Sequence, residues 1–163
     1  MNYGTIKNLD IANGEGIRVS LFVSGCTHHC KNCFNQETWN FNYGQKFTEE
    51  TIQHILTLLE PNHIAGLTLL GGEPSHPNNQ EEVSEIIKAV RAKFGDKKTI
   101  WCYTGYTYEH LPKELMSNID VLVDGLYVEE LKDISLKFRG SSNQRIIDVQ
   151  KTLQSNKIIL YYK

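Results

Sequence analysis

No apolar run in this sequence approaches the roughly 18 residues that a membrane-spanning helix needs, so no membrane association is expected. A basic stretch is also missing. The 17 Lys and Arg stand against 19 Asp and Glu, a formal net charge of −2. That balance argues against a non-specific nucleic-acid binder. Met1 to Arg18 lacks the charged-then-apolar order of a secretion signal, and a cytoplasmic location is the simplest expectation. No repeat, low-complexity tract or Pro/Gly/Ser-rich linker divides the 163 residues. Residues 1–163 are therefore expected to form a single domain, large enough to bury a core without disulfide staples. No Ser/His/Asp or paired-carboxylate constellation stands out.

The chain does have four cysteines, three of them crowded as Cys26-x3-Cys30-x2-Cys33. In a chain with no export signal, such crowding points to metal or redox chemistry more than to disulfides. A cubane iron–sulfur cluster usually takes four thiolates, one per iron. Three close cysteines would leave one iron open, as substrate chemistry at a metal requires. Other readings stay open at this stage. A structural zinc site could recruit His28 or His29, although zinc ligand pairs are usually spaced more widely along the chain. The thiols could also be unconnected and buried. Cys102, between Trp101 and Tyr103 in an apolar stretch, reads as a packed core residue before it reads as a fourth ligand.

Local patterning predicts alternating strands and helices. Val19 to Val23 reads as a buried strand ended by Ser24-Gly25, with the cysteines directly after it. A helix is expected from an N-cap at Thr48, with Ile52, Ile55, Leu56 and Leu59 as its apolar stripe and Pro61 as its stop. Gly66 to Leu70 is a strand that runs into Gly71-Gly72-Glu73-Pro74. A second helix spans Gln80 to Phe94 and closes at Gly95. Thr99 to Thr104 and Val121 to Asp124 are further strands. A short helix over Tyr108 to Met116 is weakened by Pro112. Gly125 to Asn143 is loop-like, and Ile158 to Tyr162 is a candidate last strand. The alternation implies βαβ units, and the length is short of a full eight-fold barrel, which typically takes about 200 residues or more. The expected fold is α/β, a partial (open) β/α barrel of about five to six mainly parallel strands. Sites in such folds gather at the carboxyl edge of the sheet, where the glycine turns fall.

Cys-x3-Cys-x2-Cys after a first apolar strand resembles the signature of the radical S-adenosylmethionine (SAM) superfamily, and Gly71-Gly72-Glu73-Pro74 resembles its GGE(P) element. The resemblance implies a [4Fe–4S] cluster on Cys26, Cys30 and Cys33, with SAM on the open iron. It also implies SAM contacts at Gly71, Gly72 and Glu73, and at Thr104 on the next strand end. The residue before the third cysteine is often aromatic in that superfamily and is Asn32 here, so adenine contacts are expected from backbone at Asn32, Cys33 and Phe34. Asn13-Gly14-Glu15-Gly16-Ile17-Arg18 is similar to the N-G-x-G-x-R stretch of glycyl-radical-enzyme activases, many of which have proline in place of Glu15.

Cys30 to Asn35 with Thr38-Trp39, Val123-Asp124-Gly125, and Phe138 to Arg145 (FRGSSNQR) resemble one branch of that family, the one whose partner is an anaerobic ribonucleotide reductase. This implies an enzyme that sets a glycyl radical on that protein substrate, fed by a low-potential electron donor such as a flavodoxin. No protein general base would be needed. The alternatives are an activase of another glycyl-radical enzyme such as pyruvate formate-lyase, a radical SAM enzyme acting on a small molecule, and a non-catalytic zinc-binding interaction module. Roles for Arg18, His76, Asp124 and Arg139 to Arg145 stay open, and His54, His63 and His110 are expected at the surface.

Overall fold

The structure, a computed structural model, describes residues 1–33 and 36–162. Seven strands form one open sheet: β1 (Asn2–Asp10), β2 (Ile17–Val23), β3 (Gln45–Lys46), β4 (Ile64–Gly71), β5 (Thr99–Tyr103), β6 (Val121–Asp124) and β7 (Arg145–Asp148). Their order across the sheet is β3-β1-β2-β4-β5-β6-β7. β2, β4, β5 and β6 run parallel. β1 and β3 at one side and β7 at the other pair antiparallel. The sheet is thus mixed and does not close on itself. The expected α/β class with a mainly parallel sheet holds for the four central strands, but the sheet has seven strands rather than five to six, because antiparallel β1, β3 and β7 flank the centre, and it is open rather than curled into an evident partial barrel.

Alternate residues of the parallel strands face opposite layers. Val19, Leu21, Leu67, Leu69, Ile100 and Leu122 pack beneath two helices. These are α1 (Glu49–Leu59) and α2 (Gln80–Phe94), each burying the apolar stripe that its 3.6-residue period dictates. At the start of α1 the Thr51 hydroxyl accepts the Thr48 N–H at 3.1 Å. α2 ends at Gly95, whose φ of 58° suits glycine. Pro112 splits the expected helix at Tyr108 to Met116 into a 3-10 turn, Tyr108–His110, and a single turn, α3 (Lys113–Met116).

The other sheet face carries polar and aromatic side chains. Arg18 is 1% exposed, and all five of its N–H groups are donated to oxygens of Glu15, Leu67, Thr68 and Thr99. Trp101, Val121, Val123 and Ile146 form a second apolar cluster on which Tyr103, Phe138 and Tyr162 pack. After β7 the chain turns through α4 (Val149–Ser155). The Ile158–Tyr162 stretch is not a strand but a crossing segment. It touches the sheet through one bridge, Ile147 to Leu160, and is tied by Tyr161 and Tyr162 hydroxyls to the Glu15 carboxylate.

Candidate functional site

The site forms where β2, β4 and β5 end side by side. Leaving β2, the Gly25 and Cys26 N–H groups donate to the Thr38 and Trp39 carbonyls at 2.6 and 3.1 Å. This closes the stem of an excursion that carries all three clustered cysteines. Gly25 has φ +103°, and a Cβ there would fall 2.0 Å from the Phe41 ring, so only glycine fits. Within the excursion the Cys33 N–H donates to the Cys30 carbonyl at 3.1 Å, a tight turn. Asn32, its third residue, has φ 57°, a left-handed conformation that asparagine tolerates far better than an aromatic residue does.

Cys26, Cys30 and Cys33 form no disulfide and border one cavity of about 440 Å³, within the size range of small-molecule sites. Gly71, Gly72, Glu73 and Thr104 border the same cavity, as do Arg139, Gly140 and Gln144. Asn32 is not on its wall, and Phe34 lies outside the described residues. Cys102 is 0% exposed in the helix-side core, its thiol directed to the Tyr103 carbonyl at 3.7 Å. Burial pushes the Cys26 thiol up to about 11; backbone hydrogen bonds from His28 and His29 oppose the shift, and the Glu73 and Cys30 charges add to it. Burial also raises Cys30, opposed by a hydrogen bond from the Tyr127 backbone. A metal that takes these sulfurs as thiolates must therefore displace protons.

Glu73 is the hub of the site. It is 1% exposed, yet four groups meet its carboxylate. Oε1 faces His28 Nε2 at 2.7 Å and accepts the Gly105 N–H at 2.7 Å. Oε2 accepts the Ser75 N–H at 2.9 Å and the Thr104 hydroxyl at 2.8 Å. The Thr104 hydroxyl in turn accepts the Tyr106 N–H. One buried side chain thus joins the cysteine excursion to the ends of β4 and β5. Backbone bonds add to the join, from Gly72 N–H to Val23 and from Glu73 N–H to Gly25. A Cβ on Gly71 would sit 2.6 Å from the Val23 carbonyl oxygen, and one on Gly72 would sit 2.7 Å from that of Gly25. Both glycines are required by this backbone contact.

His29 stacks on Trp39 at 4.4 Å, and the His28 ring meets Tyr106 edge-on at 4.6 Å. Both histidines shape the loop. His76 packs on Phe41 away from the cavity wall, and His54, His63 and His110 are exposed. Asp124, 1% exposed, is gripped by Arg145 through two hydrogen bonds of 3.0 and 2.6 Å and receives the Tyr108 N–H. Gln144 accepts the Gly140 N–H and donates to the Gly125 carbonyl. Much of Phe138 to Arg145 therefore folds the loop after β6 onto the site. Tyr127 had no signal in the sequence; its backbone reaches a cysteine only through tertiary folding.

The donor set suits an iron–sulfur cluster. Three cysteines on one loop, none in a disulfide, border one cavity, and a cluster spreads its thiolates over different irons. Among the described residues, no three His, Cys, Asp or Glu side chains are set to hold a single metal ion. Among the described residues, two N–H donors on the wall, Trp39 Nε1 and Arg139 Nε, are buried without a partner, as a cavity built for an acceptor-bearing ligand would leave them.

A family model described as a 4Fe-4S single cluster domain matches residues 12–147. The anaerobic ribonucleoside-triphosphate reductase-activating protein of Enterobacteria phage T4 is 44% identical over 147 residues, 90% of this chain and 93% of the relative. The protein of that name from Vibrio cholerae is 43% identical over 151 residues, 90% of this chain and 97% of the relative. Its counterpart from Escherichia coli K12 is 44% identical over 149 residues, covering 88% and 96%. This chain belongs to the family of anaerobic ribonucleoside-triphosphate reductase-activating proteins, with a 4Fe-4S single cluster domain.

Proposed function

We propose that this chain is a radical SAM enzyme that activates an anaerobic ribonucleoside-triphosphate reductase by setting a glycyl radical on it. The observation that carries the reading is the meeting of three cysteines outside any disulfide, and not Cys102, with the Gly71-Gly72 strand end around one cavity. Cys26, Cys30 and Cys33 hold the [4Fe–4S] cluster. When bound, the cluster would supply one low-potential electron to SAM, cleaving its 5′ C–S bond to methionine and a 5′-deoxyadenosyl radical, which would take hydrogen from a glycine of the partner and leave as 5′-deoxyadenosine.

The protein's own work is holding and shielding. Gly71 and Gly72 let the backbone of β4 lie against the cysteine loop and face SAM. Glu73 and Thr104 keep that wall in register through the hydrogen bonds described above, next to the amino-acid end of SAM. Backbone at Cys33, on the cavity wall, takes the adenine. The loop after β6 brings Leu136 and Phe138 to the cavity, apolar cover that limits water near a radical. The electron comes from an external low-potential donor of the flavodoxin kind.

The test is anaerobic loading with iron and sulfide, followed by reduction in the presence of SAM. Formation of 5′-deoxyadenosine, and of a glycyl signal in electron paramagnetic resonance when the reductase is added, is the expected result. A fully loaded protein that makes no 5′-deoxyadenosine overturns the reading. A glycyl signal on pyruvate formate-lyase but not on the reductase overturns the choice of partner.

A further inference from the structure

The loop after β6 holds an unusual backbone. Phe138 has φ +59°, a left-handed conformation that is a genuine outlier for a bulky side chain. Two contacts hold it there. The Tyr103 hydroxyl donates to the Phe138 carbonyl at 2.7 Å, and the Phe138 ring meets Trp101 edge-on at 5.4 Å. Backbone strain that surrounding structure over-determines is typical of places where a neighbouring group must be aimed. The next residue is Arg139, on the wall of the thiol-lined cavity.

Arg139 is also incompletely satisfied. Its Nη1 donates to the Gln144 carbonyl at 2.6 Å, while its Nε is buried and has no partner among the described residues. Among the described residues it forms no ion pair. Asp133 lies within electrostatic reach, but that residue is exposed and its Oδ1 already accepts the Ser135 N–H and hydroxyl. Arg18, the other arginine below this face of the sheet, has every N–H bonded. Lys132 borders the cavity too, but it is exposed and already engaged. Arg139 is therefore a guanidinium on the cavity wall with donor capacity to spare. A buried donor left unmade costs its full desolvation, and a planar guanidinium recovers most from a carboxylate.

We infer that Arg139 is the carboxylate anchor of this site, holding the one anionic group of SAM. This rests on the proposed function. SAM carries a single carboxylate beside an ammonium and a sulfonium, so the carboxylate is its one anionic, bidentate acceptor for a guanidinium. Glu73, the buried acid on the wall, is already saturated within the protein. Tyr103 is a positioning residue, acting through the Phe138 carbonyl.

The test compares anaerobic equilibrium binding of SAM and of decarboxylated SAM to the iron-loaded full chain, in wild type, Arg139→Gln and Arg139→Lys. Arg139→Gln is expected to raise the Kd for SAM about tenfold or more, equivalent to about 1.4 kcal/mol. It should leave the Kd for decarboxylated SAM unchanged, and Arg139→Lys should fall between. An equal weakening of both ligands, or an unchanged SAM Kd, overturns the assignment. Variants that take up no iron place Arg139 in the scaffold and overturn it equally. Loaded wild type that cleaves no SAM sinks the functional reading itself. Normal cleavage with an unchanged SAM Kd in Arg139→Gln sinks this assignment alone.

Discussion

Glu73→Gln separates the scaffold of the site from its ligands. The substitution keeps shape and volume but exchanges one acceptor oxygen for an NH2 group. At the Oε1 end the amide would face the Gly105 N–H, and at the Oε2 end the Ser75 N–H. His28 can change tautomer and Thr104 can turn its hydroxyl, but a backbone N–H can do neither. Whichever way the amide points, one N–H confronts another donor in a site that is 1% exposed. A buried donor left unpaired costs about 1–3 kcal/mol. For a chain of 163 residues, about 2 kcal/mol corresponds to a Tm lower by roughly 4–8 °C. Circular dichroism melting of the full chain, metal-free and with thiols reduced, measures this with neither cluster nor SAM present. A Tm within about 1 °C of wild type would refute the argument that the carboxylate binds the three strand ends together.

Two further outcomes follow from the same geometry. Cys102→Ala should keep about four irons per chain after reconstitution, whereas Cys26→Ala, Cys30→Ala and Cys33→Ala should each lose most of them. Equal iron loss in Cys102→Ala and Cys30→Ala would contradict the placement of Cys102 in the core. The buried Asp10 carboxyl is held below its ordinary 3.8: burial pushes it up, but hydrogen bonds from Ser20, Asn13 and Ala12 and the Lys7 charge outweigh that. A depressed folded-state value stabilises the protein above the unfolded value, and that stability is lost as pH falls through the folded one. In urea unfolding, wild type should exceed Asp10→Asn above about pH 4, with the gap closing progressively as pH falls below that. A gap independent of pH would show that the bonded carboxylate is not its source.

Elements whose cause is local were legible before folding was considered. The stripes of α1 and α2 and their caps follow from spacing alone, and the apolar runs of β2, β4, β5 and β6 announce strands buried on both faces. β1 was hidden because Asn2–Asp10 is a polar strand near the sheet edge with only Asp10 buried. It exists because β2 offers it a ladder. β7 was masked by the polar motif leading into it, and its antiparallel return depends on the long loop after β6 folding back. The aromatic and apolar run Ile158 to Tyr162 had the composition of a strand, but Glu15 and the Trp101 face draw it across the sheet instead.

The sequence by itself determined the chemical inventory: three thiols at a cluster's spacing, a glycine pair at a strand end, and the motifs of a family. These are properties of residue type and separation along the chain. Tertiary structure alone decided which polar atoms are used up and which remain free. Glu73 is saturated by groups from three separate segments, while Arg139 keeps an unpaired donor on the cavity wall. Hydrogen-bonding capacity is written into each side chain, but its satisfaction depends on what long-range packing brings within about 3 Å.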